Sequence, residues 1–282
     1  MHPGLTLEKR IAAEIASYDG KMAVYVNDFK GNTIEIGVDE QFETASTVKT
    51  YILATLFHEI ELGHTSLEDK ITYEEKHFVD GSGLFRNLTF GAEFFIRDVA
   101  MMMIIVSDNV ATNMMIDFLG IDVINAYIQE LGCKDTVLHN PIDFYKYDKL
   151  GTTTPRDYAS MFVRLAKREL VSEKASEQML DIFRRQHYNS MITKYFPQYL
   201  LDSEDTGDEE LIYVASKSGS MNEVRADGGI VHTPYGDYVI VIFNKDFHDP
   251  VYHSEHSATV FSAKVSRLIF DQYLALEGRL KL

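Results

Sequence analysis

The sequence predicts an α+β fold with three α/β/α layers, in which both chain ends contribute to one antiparallel five-stranded sheet. The first residues read as a helix and two strands, the middle has almost continuous helical periodicity, and the final third returns to strands before a closing helix. Short turns join the strands, which favours antiparallel pairing. We expect one domain over residues 1–282, with an α/β lobe at about 1–45 and 211–282 and an inserted all-α lobe at about 46–210.

The N-terminal elements are a helix and a hairpin. Residues 5–18 place apolar side chains at helical spacing among charged ones. Residues 22–26 and 33–38 are rich in β-formers and flank an Asp-Phe-Lys-Gly-Asn turn at 28–32. This hairpin supplies the first two strands of the predicted sheet.

The middle of the chain predicts a series of helices. One begins at Ser46 and ends at Gly63, and another begins after the N-cap Thr154 with Pro155 at its first position. Residues 71–88 and 132–153 lack periodicity and are expected to be loops. The remaining predicted helices cover residues 96–106, 109–119, 122–131 and 172–185.

The last part of the chain predicts three strands, at residues 211–218, 228–232 and 238–244, and a helix over about 257–276. Before them, residues 202–210 are strongly acidic. They lack the ligand spacing of an EF-hand, so we expect a solvated loop there.

Composition excludes several classes of function. The chain has 27 basic and 43 acidic residues and a net charge of −16, which disfavours binding to nucleic acid or anionic membranes. Its single cysteine, Cys133, excludes an internal disulfide. We predict no cofactor and no metal site, and the oligomeric state stays open.

The chain as written shows no apolar core of a signal peptide and no apolar run long enough to cross a bilayer. We therefore expect a cytoplasmic protein. The alternative is a secreted or periplasmic protein whose leader has been removed.

The head of the second helix carries the first candidate site. Ser46 and Lys49 are three residues apart, so on a helix they lie one turn apart on the same face. A neutral amine can take the proton of a neighbouring hydroxyl and so create a nucleophile. Alone the pair also fits an N-cap serine followed by a solvated lysine.

Two further motifs favour the catalytic interpretation of Ser46 and Lys49 over the structural one. The chain carries Ser-x-x-Lys at 46–49, Ser-Asp-Asn at 107–109 and Lys-Ser-Gly at 217–219, in this order. The first lies at a helix start, the second at a break between helices and the third at the end of a strand. Together they are the signature of an acyl-serine site.

The motifs and their order resemble those of the class A β-lactamase-like branch of the penicillin-recognising serine hydrolases. The similarity extends to the helix after Asp108 and to the strand pair with Val-Arg-Ala-Asp-Gly-Gly-Ile at 224–230. The order of elements matches over about residues 5–276, so the resemblance covers nearly the whole chain.

The resemblance implies roles for four catalytic residues. Ser46 would be the nucleophile that opens a β-lactam or peptide-like carbonyl, and Lys49 would be its base or part of a proton relay. Ser107 would pass a proton to the leaving nitrogen, and Lys217 would hold Ser107 electrostatically.

The same resemblance implies a set of substrate contacts. Asn109 would bind the amide of the substrate side chain, and Lys217 and Ser218, next to Gly219, would engage its carboxylate. The backbone amides of Ser46 and Ser220 would form the oxyanion hole. Arg225 is the candidate second cation for the carboxylate, and the equal alternative is an arginine that binds the adjoining turn.

One departure from the family concerns deacylation. Class A β-lactamases carry a glutamate before the Thr-Thr-Pro helix that activates the hydrolytic water, but residues 138–151 contain no glutamate. Asp143, Tyr145 or Asp148 are the candidate replacements, and the alternative is that they are ordinary loop residues. A misplacement of about 1 Å can cost roughly a hundredfold in rate.

The sequence thus predicts a serine hydrolase acting on a small-molecule β-lactam or acyl-peptide-like substrate, with slow hydrolysis if the base is missing. Two alternatives stay open. The first is a penicillin-binding or sensing module with a persistent acyl-enzyme. The second is an esterase or peptidase with a non-β-lactam substrate.

Overall fold

The structure, a computed structural model, describes residues 6–201, 211–249 and 251–275. Its helices are α1 (Leu7–Ile15), α2 (Val48–Glu61), α3 (Ile96–Ile105), α4 (Asn109–Leu119), α5 (Ile121–Glu130), α6 (Pro155–Ala166), α7 (Glu173–Arg184) and α8 (Ser257–Ala275). Its strands are β1 (Lys21–Asn27), β2 (Thr33–Ile36), β3 (Phe42–Glu43), β4 (Lys70–Thr72), β5 (Glu93–Phe95), β6 (Val137–Leu138), β7 (Gly151–Thr153), β8 (Tyr213–Met221), β9 (Val224–His232) and β10 (Tyr238–Lys245).

The main sheet has five antiparallel strands in the order β2-β1-β10-β9-β8, so strands from both chain ends meet at its centre. The pairing of β1 with β10 places Val24 opposite Ile242. At the edge, β8 pairs with β9 so that Lys217 lies opposite Gly228. The predicted α+β class and the five-stranded sheet are confirmed.

Both faces of the sheet are covered. On β10, Ile240 and Ile242 join a core formed with α1 and α8, whereas Val241 and Phe243 join the core on the opposite face. There α6 packs against β1, β9 and β10. A strand buried on both faces has no polar alternation, which explains the continuous apolar run of β10.

The middle segment contains more than helices. Strand β3 pairs with β7, which also pairs with β6, and β4 pairs with β5. These strands have only two or three residues, too few to leave a periodic signal in the sequence. The predicted lobe boundaries stay a prediction, but the segment between them is not purely helical.

Strands β8 and β9 are longer than predicted and join through a turn of two residues. The prediction began the second of these strands at Gly228, whereas β9 already begins at Val224 and continues through Gly228 and Gly229, although glycine is normally unfavourable within a strand. A Cβ at Gly228 would lie 2.7 Å from the Tyr158 ring, and one at Gly229 would lie 2.4 Å from the Ala215 oxygen. The close approach of neighbouring groups therefore requires both glycines.

The predicted solvated loop at residues 202–210 lies outside the described residues. Among the helices within the described ranges, none is long and apolar enough to cross a membrane.

We expect Phe243→Ala to lower the free energy of unfolding by about 3–5 kcal/mol, because it leaves a cavity in a close-packed aromatic cluster. Phe243 is fully buried, and its ring centroid lies 5.3 Å from that of Phe42 and 5.5 Å from that of Tyr158. Denaturant unfolding measures the change. Tyr199→Ala, at a 55% exposed position, is the matched control and should change stability by less than about 0.5 kcal/mol. Equal losses in both variants would contradict the expectation.

Candidate active site

Ser46 lies in a single turn of 3-10 helix, Ala45–Thr47, immediately before α2. The turn is closed by the Thr47 amide and hydroxyl, which both donate to the Thr44 oxygen, at 3.1 and 2.6 Å. Ala45 has a φ of +43°, a left-handed conformation that is costly for a residue with a side chain. The strained turn leaves the Ser46 side chain partly exposed beside the cavity described below.

Lys49 follows one turn later, and its side chain is completely buried. Its Nζ donates to the Ser107 oxygen at 2.7 Å, to Ser107 Oγ at 2.9 Å and to Asn109 Oδ1 at 2.9 Å. Burial, with a smaller contribution from the positive charge of Lys217, holds the pKa of Lys49 well below its ordinary value. Both effects favour the neutral amine over the ammonium.

The break between α3 and α4 positions Ser107 and Asn109. Ser107 has a φ of +52°, which turns its hydroxyl toward the two lysines. Asp108 Oδ1 accepts from the amide of Ala111 and so caps α4. Its Oδ2 accepts from the amides of Leu84 and Phe85, at 2.6 and 2.8 Å, which ties the neighbouring loop to the break.

Lys217 approaches the same hydroxyl from strand β8. Its Nζ donates to Ser107 Oγ at 3.1 Å and to the Ser218 oxygen at 2.6 Å, and its own oxygen accepts from Tyr158 Oη at 2.6 Å. Burial lowers the pKa of Lys217 to about 7, while the nearby Asp227 carboxylate raises it. Burial likewise raises the pKa of Asp227 to about 7.

The Ser107 hydroxyl thus lies between two buried amines. A neutral Lys49 keeps two N–H groups, which suit the backbone oxygen of Ser107 and Asn109 Oδ1. Its bond with Ser107 Oγ would then reverse, with the hydroxyl donating to the lone pair of the amine. Ser46 Oγ is not among the hydrogen-bond partners of Lys49 in the described structure. Catalytic hydrogen bonds often form only with substrate, and a serine rotamer change takes picoseconds to nanoseconds.

Gly219 explains how closely strand β8 approaches Ser46. A Cβ at this position would lie 2.8 Å from the Thr47 nitrogen and 3.0 Å from both the Ser46 nitrogen and the Thr44 oxygen. Only glycine lets the strand pass this close to the turn. The approach brings Ser218 and Ser220 to the same cavity as Ser46.

The cavity has a volume of about 570 Å³ and opens beside Ser46. One wall is the segment of residues 139–151, which we call the cavity loop, and the other walls come from β8 and from the loops around residues 82, 188 and 252. The lining side chains include Ser46, Ser82, Ser107, Asn109, Asn140, Ile142, Asp143, Phe144, Tyr147, Lys149, Tyr188, Ser218, Ser220, Met221 and Tyr252. The cavity therefore exposes Ser46 and Ser107 within a largely aromatic and apolar rim, with Lys49 and Lys217 buried outside its lining.

The three candidate deacylation residues fall in different places. Asp143 lines the cavity, but its Oδ1 accepts from the amides of Tyr145 and Lys146 and so closes a local turn. Tyr145 is 93% exposed, and Asp148 is exposed and lies outside the cavity lining. Of the three, the structure brings only Asp143 to the cavity.

Arg225 is placed away from the cavity lining. Its guanidinium donates to the oxygens of Met221 and Val224 and lies 4.1 Å from the Tyr252 ring centroid. The side chain is only 2% exposed. Of the two alternatives, the structure shows the arginine that binds the turn, with Tyr252 between it and the cavity.

Sequence reasoning missed two buried carboxyl groups near the site. Glu43 lies three residues before Ser46 and binds the end of the cavity loop. Asp227 lies behind Lys217 on β9, and the Ile192 amide donates to it at 3.2 Å. A lone acidic residue within an apolar strand was the available signal for Asp227, whereas Glu43 carried no local signal.

Fold and site together define a serine hydrolase of the β-lactamase type. A model of the beta-lactamase enzyme family matches residues 6–273. This chain belongs to that family.

Relatives agree with this assignment. Beta-lactamase L2 of Stenotrophomonas maltophilia is 25% identical over 183 residues, which cover 63% of this chain and 60% of the length of L2. A beta-lactamase from Sphaerobacter thermophilus has a TM-score of 0.82 and 26% identity, covering 93% of this chain and 96% of its own. PBP-A, at 28% identity and a TM-score of 0.81 over 96% of both chains, is also similar. A mutant of PBP-A, 27% identical to this chain, was solved as an acyl-enzyme complex with penicillin G; its TM-score is 0.81, over 96% of both chains.

We expect Gly219→Ala to lower acylation of Ser46 by roughly a hundredfold, because the new methyl group would push strand β8 away from the Ala45–Thr47 turn, which we call the nucleophile turn. Stopped-flow acylation with a chromogenic β-lactam measures the rate. Gly91→Ala is the control, since a Cβ there meets open space and only its positive φ is strained. Equal acylation rates in wild type and Gly219→Ala would show that the close approach is dispensable.

Proposed function

We propose that this protein is acylated at Ser46 by β-lactams or related amides and hydrolyses the resulting acyl-enzyme slowly. The observation that carries the proposal is the buried Lys49 amine, which is bound to Ser107 and Asn109 next to a partly exposed serine. A buried lysine with a lowered pKa is the base that an unactivated serine requires.

In acylation, Ser46 Oγ attacks the carbonyl carbon of the amide while Lys49 Nζ takes its proton. Ser107 then gives its hydroxyl proton to the amide nitrogen as the carbon–nitrogen bond breaks. Lys49 returns a proton to Ser107 across their 2.9 Å hydrogen bond. One carbon–oxygen bond forms and one carbon–nitrogen bond breaks, and Lys49 ends the step neutral.

The strand next to Ser46 supplies electrostatic stabilisation. The amides of Ser46 and Ser220 are proposed to hold the developing oxyanion, since Gly219 allows β8 to lie against the nucleophile turn. Lys217 and Ser218 are proposed to attract the substrate carboxylate, which a protein of net charge −16 otherwise repels. Arg225 has no part in this step because the turn and Tyr252 hold it.

Slow deacylation follows from the cavity loop. Asp143 is the carboxylate of this loop that lines the cavity, and its Oδ1 already accepts two backbone amides. An oxygen that already accepts two backbone amides has little capacity left to accept a hydrogen bond from an attacking water. The PBP-A mutant acyl-enzyme with penicillin G supports a β-lactam as the acyl donor.

The test combines turnover with mass spectrometry. The protein is mixed with nitrocefin or with a fluorescent penicillin, and hydrolysis and the mass of the whole protein are followed together. We expect rapid formation of an adduct of one acyl group on Ser46 and its slow loss. Lys49→Ala should lower acylation at pH 7 by roughly 10²–10⁴-fold, the usual contribution of a general base, and Ser46→Ala should give no adduct.

The other outcomes separate the alternatives. An adduct that never decays would identify a penicillin-binding or sensing module. Absence of an adduct with every β-lactam would reject the proposal and leave an ester or a peptide as substrate.

Acylation should depend on pH through both lysines. As the pH falls, Lys49 gains a proton and can no longer act as a base, so the rate falls. As the pH rises through about 7, Lys217 loses its proton and its attraction for the substrate carboxylate, so the rate falls again. Lys217→Arg should move the alkaline limb of the pH–rate profile to higher pH, because a guanidinium keeps its proton.

The profile of acylation rate against pH measures this shift. Lys149→Arg, at an exposed lysine that lines the cavity, is the matched control and should leave the limb unchanged. An alkaline limb at the same pH in Lys217→Arg and wild type would assign it to another group.

A further inference from the structure

Glu43 binds two segments that are distant in the sequence. Its Oε1 accepts from the amide of Ala45 at 3.3 Å, from that of Leu150 at 3.0 Å and from that of Gly151 at 3.3 Å. Ala45 is the residue directly before the nucleophile, and Leu150 and Gly151 end the cavity loop. One carboxylate oxygen therefore joins the nucleophile turn to the wall of the cavity.

Few other bonds hold these segments together. Strands β3 and β7 pair over only two residues, and the Thr44 amide donates to the Gly151 oxygen at 3.1 Å. Ala45 is in the left-handed region, so its peptide needs a fixed partner to persist in that conformation. Bonds from amides to a carboxylate are stronger than bonds between neutral groups, which suits Glu43 to this task.

Holding the Glu43 carboxylate in this position costs stability. Glu43 Oε2 is buried without a hydrogen-bond partner among the described residues. Burial raises the pKa of Glu43 despite the three amides and the nearby charge of Lys149. A buried acceptor without a partner is destabilising, and such groups are uncommon in folded proteins. An alkyl side chain in this place would avoid the cost but could not accept from the three amides.

We propose that Glu43 is a positioning residue for acylation: it fixes the peptide that leads into Ser46 and holds the cavity loop against it. It acts through the amides of Ala45, Leu150 and Gly151 and does not itself contact the substrate. The inference rests on the proposed acylation of Ser46. Glu43 thereby joins the residues on which acylation depends, although it lies outside the three sequence motifs.

The test compares Glu43→Ala with Glu43→Gln. Acylation by a chromogenic β-lactam is resolved into the limiting rate constant and the substrate concentration at half-saturation. We expect Glu43→Ala to lower the limiting rate constant by roughly tenfold or more, since small displacements at a reacting centre are costly, with little change in half-saturation. Glu43→Gln should stay within about threefold of wild type, because its amide oxygen still accepts the same N–H groups.

Glu40→Ala is the matched control. It removes a carboxylate from the same segment, where Glu40 is exposed and its Oε2 lies 3.0 Å from Lys245 Nζ. We expect wild-type acylation from this variant. A wild-type rate constant in Glu43→Ala, or equal losses in the Ala and Gln variants of Glu43, would overturn the proposal.

A second measurement does not depend on catalysis. Amide hydrogen exchange at Ala45, Leu150 and Gly151 should accelerate by roughly tenfold or more in Glu43→Ala and remain near wild type in Glu43→Gln. If the wild-type protein is not acylated, the proposed function fails, and unchanged exchange in Glu43→Ala would in addition overturn the linking role. If Glu43→Ala does not fold, Glu43→Asp, whose carboxylate is one carbon shorter, should show the same losses in smaller measure, and wild-type values would reject the role.

Discussion

The rest of the site depends on one buried amine. Lys49 is enclosed by protein, and a charged ammonium there would be costly unless surrounding groups compensated for the lost water. Its three hydrogen-bond acceptors come from the break between α3 and α4, so the Lys49 amine is held in place only when this break has its observed geometry. The positive φ of Ser107 and the capping of α4 by Asp108 maintain this geometry.

The second constraint is the close approach of the sheet edge to the helical segment. Strand β8 brings Lys217 to Ser107 and passes the nucleophile turn at Gly219, where a methyl group would collide with backbone atoms. Tyr158 of α6 supports the strand from behind by donating to the Lys217 oxygen. The site is therefore built where two parts of the fold meet, with its reacting groups divided between them.

The cavity loop is the part of the site that lacks the glutamate of class A β-lactamases. It contributes aromatic side chains to the rim, and its one cavity-lining carboxylate, Asp143, is already engaged with backbone amides. Glu43 holds the other end of the loop. The proposed slow hydrolysis of an acyl-enzyme rests on this binding of the loop.

The sequence by itself determined the fold class, the helices and the five strands of the main sheet, and it predicted the four residues that the structure brings together around Ser107. Each of these leaves a local trace: helical spacing, the Thr154 cap, apolar strands, and motifs whose members lie within three residues of one another. The short strands β3 to β7 left no such trace, because strands this brief are defined by their distant partners. Likewise, the sequence does not show why glycine stands at 228 and 229, since the neighbours that require it come from other elements.

Only the tertiary structure decided where Arg225 points, which loop residue reaches the cavity, and what Glu43 binds. The local sequence fitted two interpretations of Arg225 equally well, a second cation for the substrate carboxylate or an arginine that binds the turn. Its contacts with Met221, Val224 and Tyr252 favour the second. Glu43 and Gly151 are separated by 108 residues, so no spacing rule relates them. A motif of neighbouring residues can be recognised from the sequence, whereas the contact of two distant segments depends on how the whole chain packs.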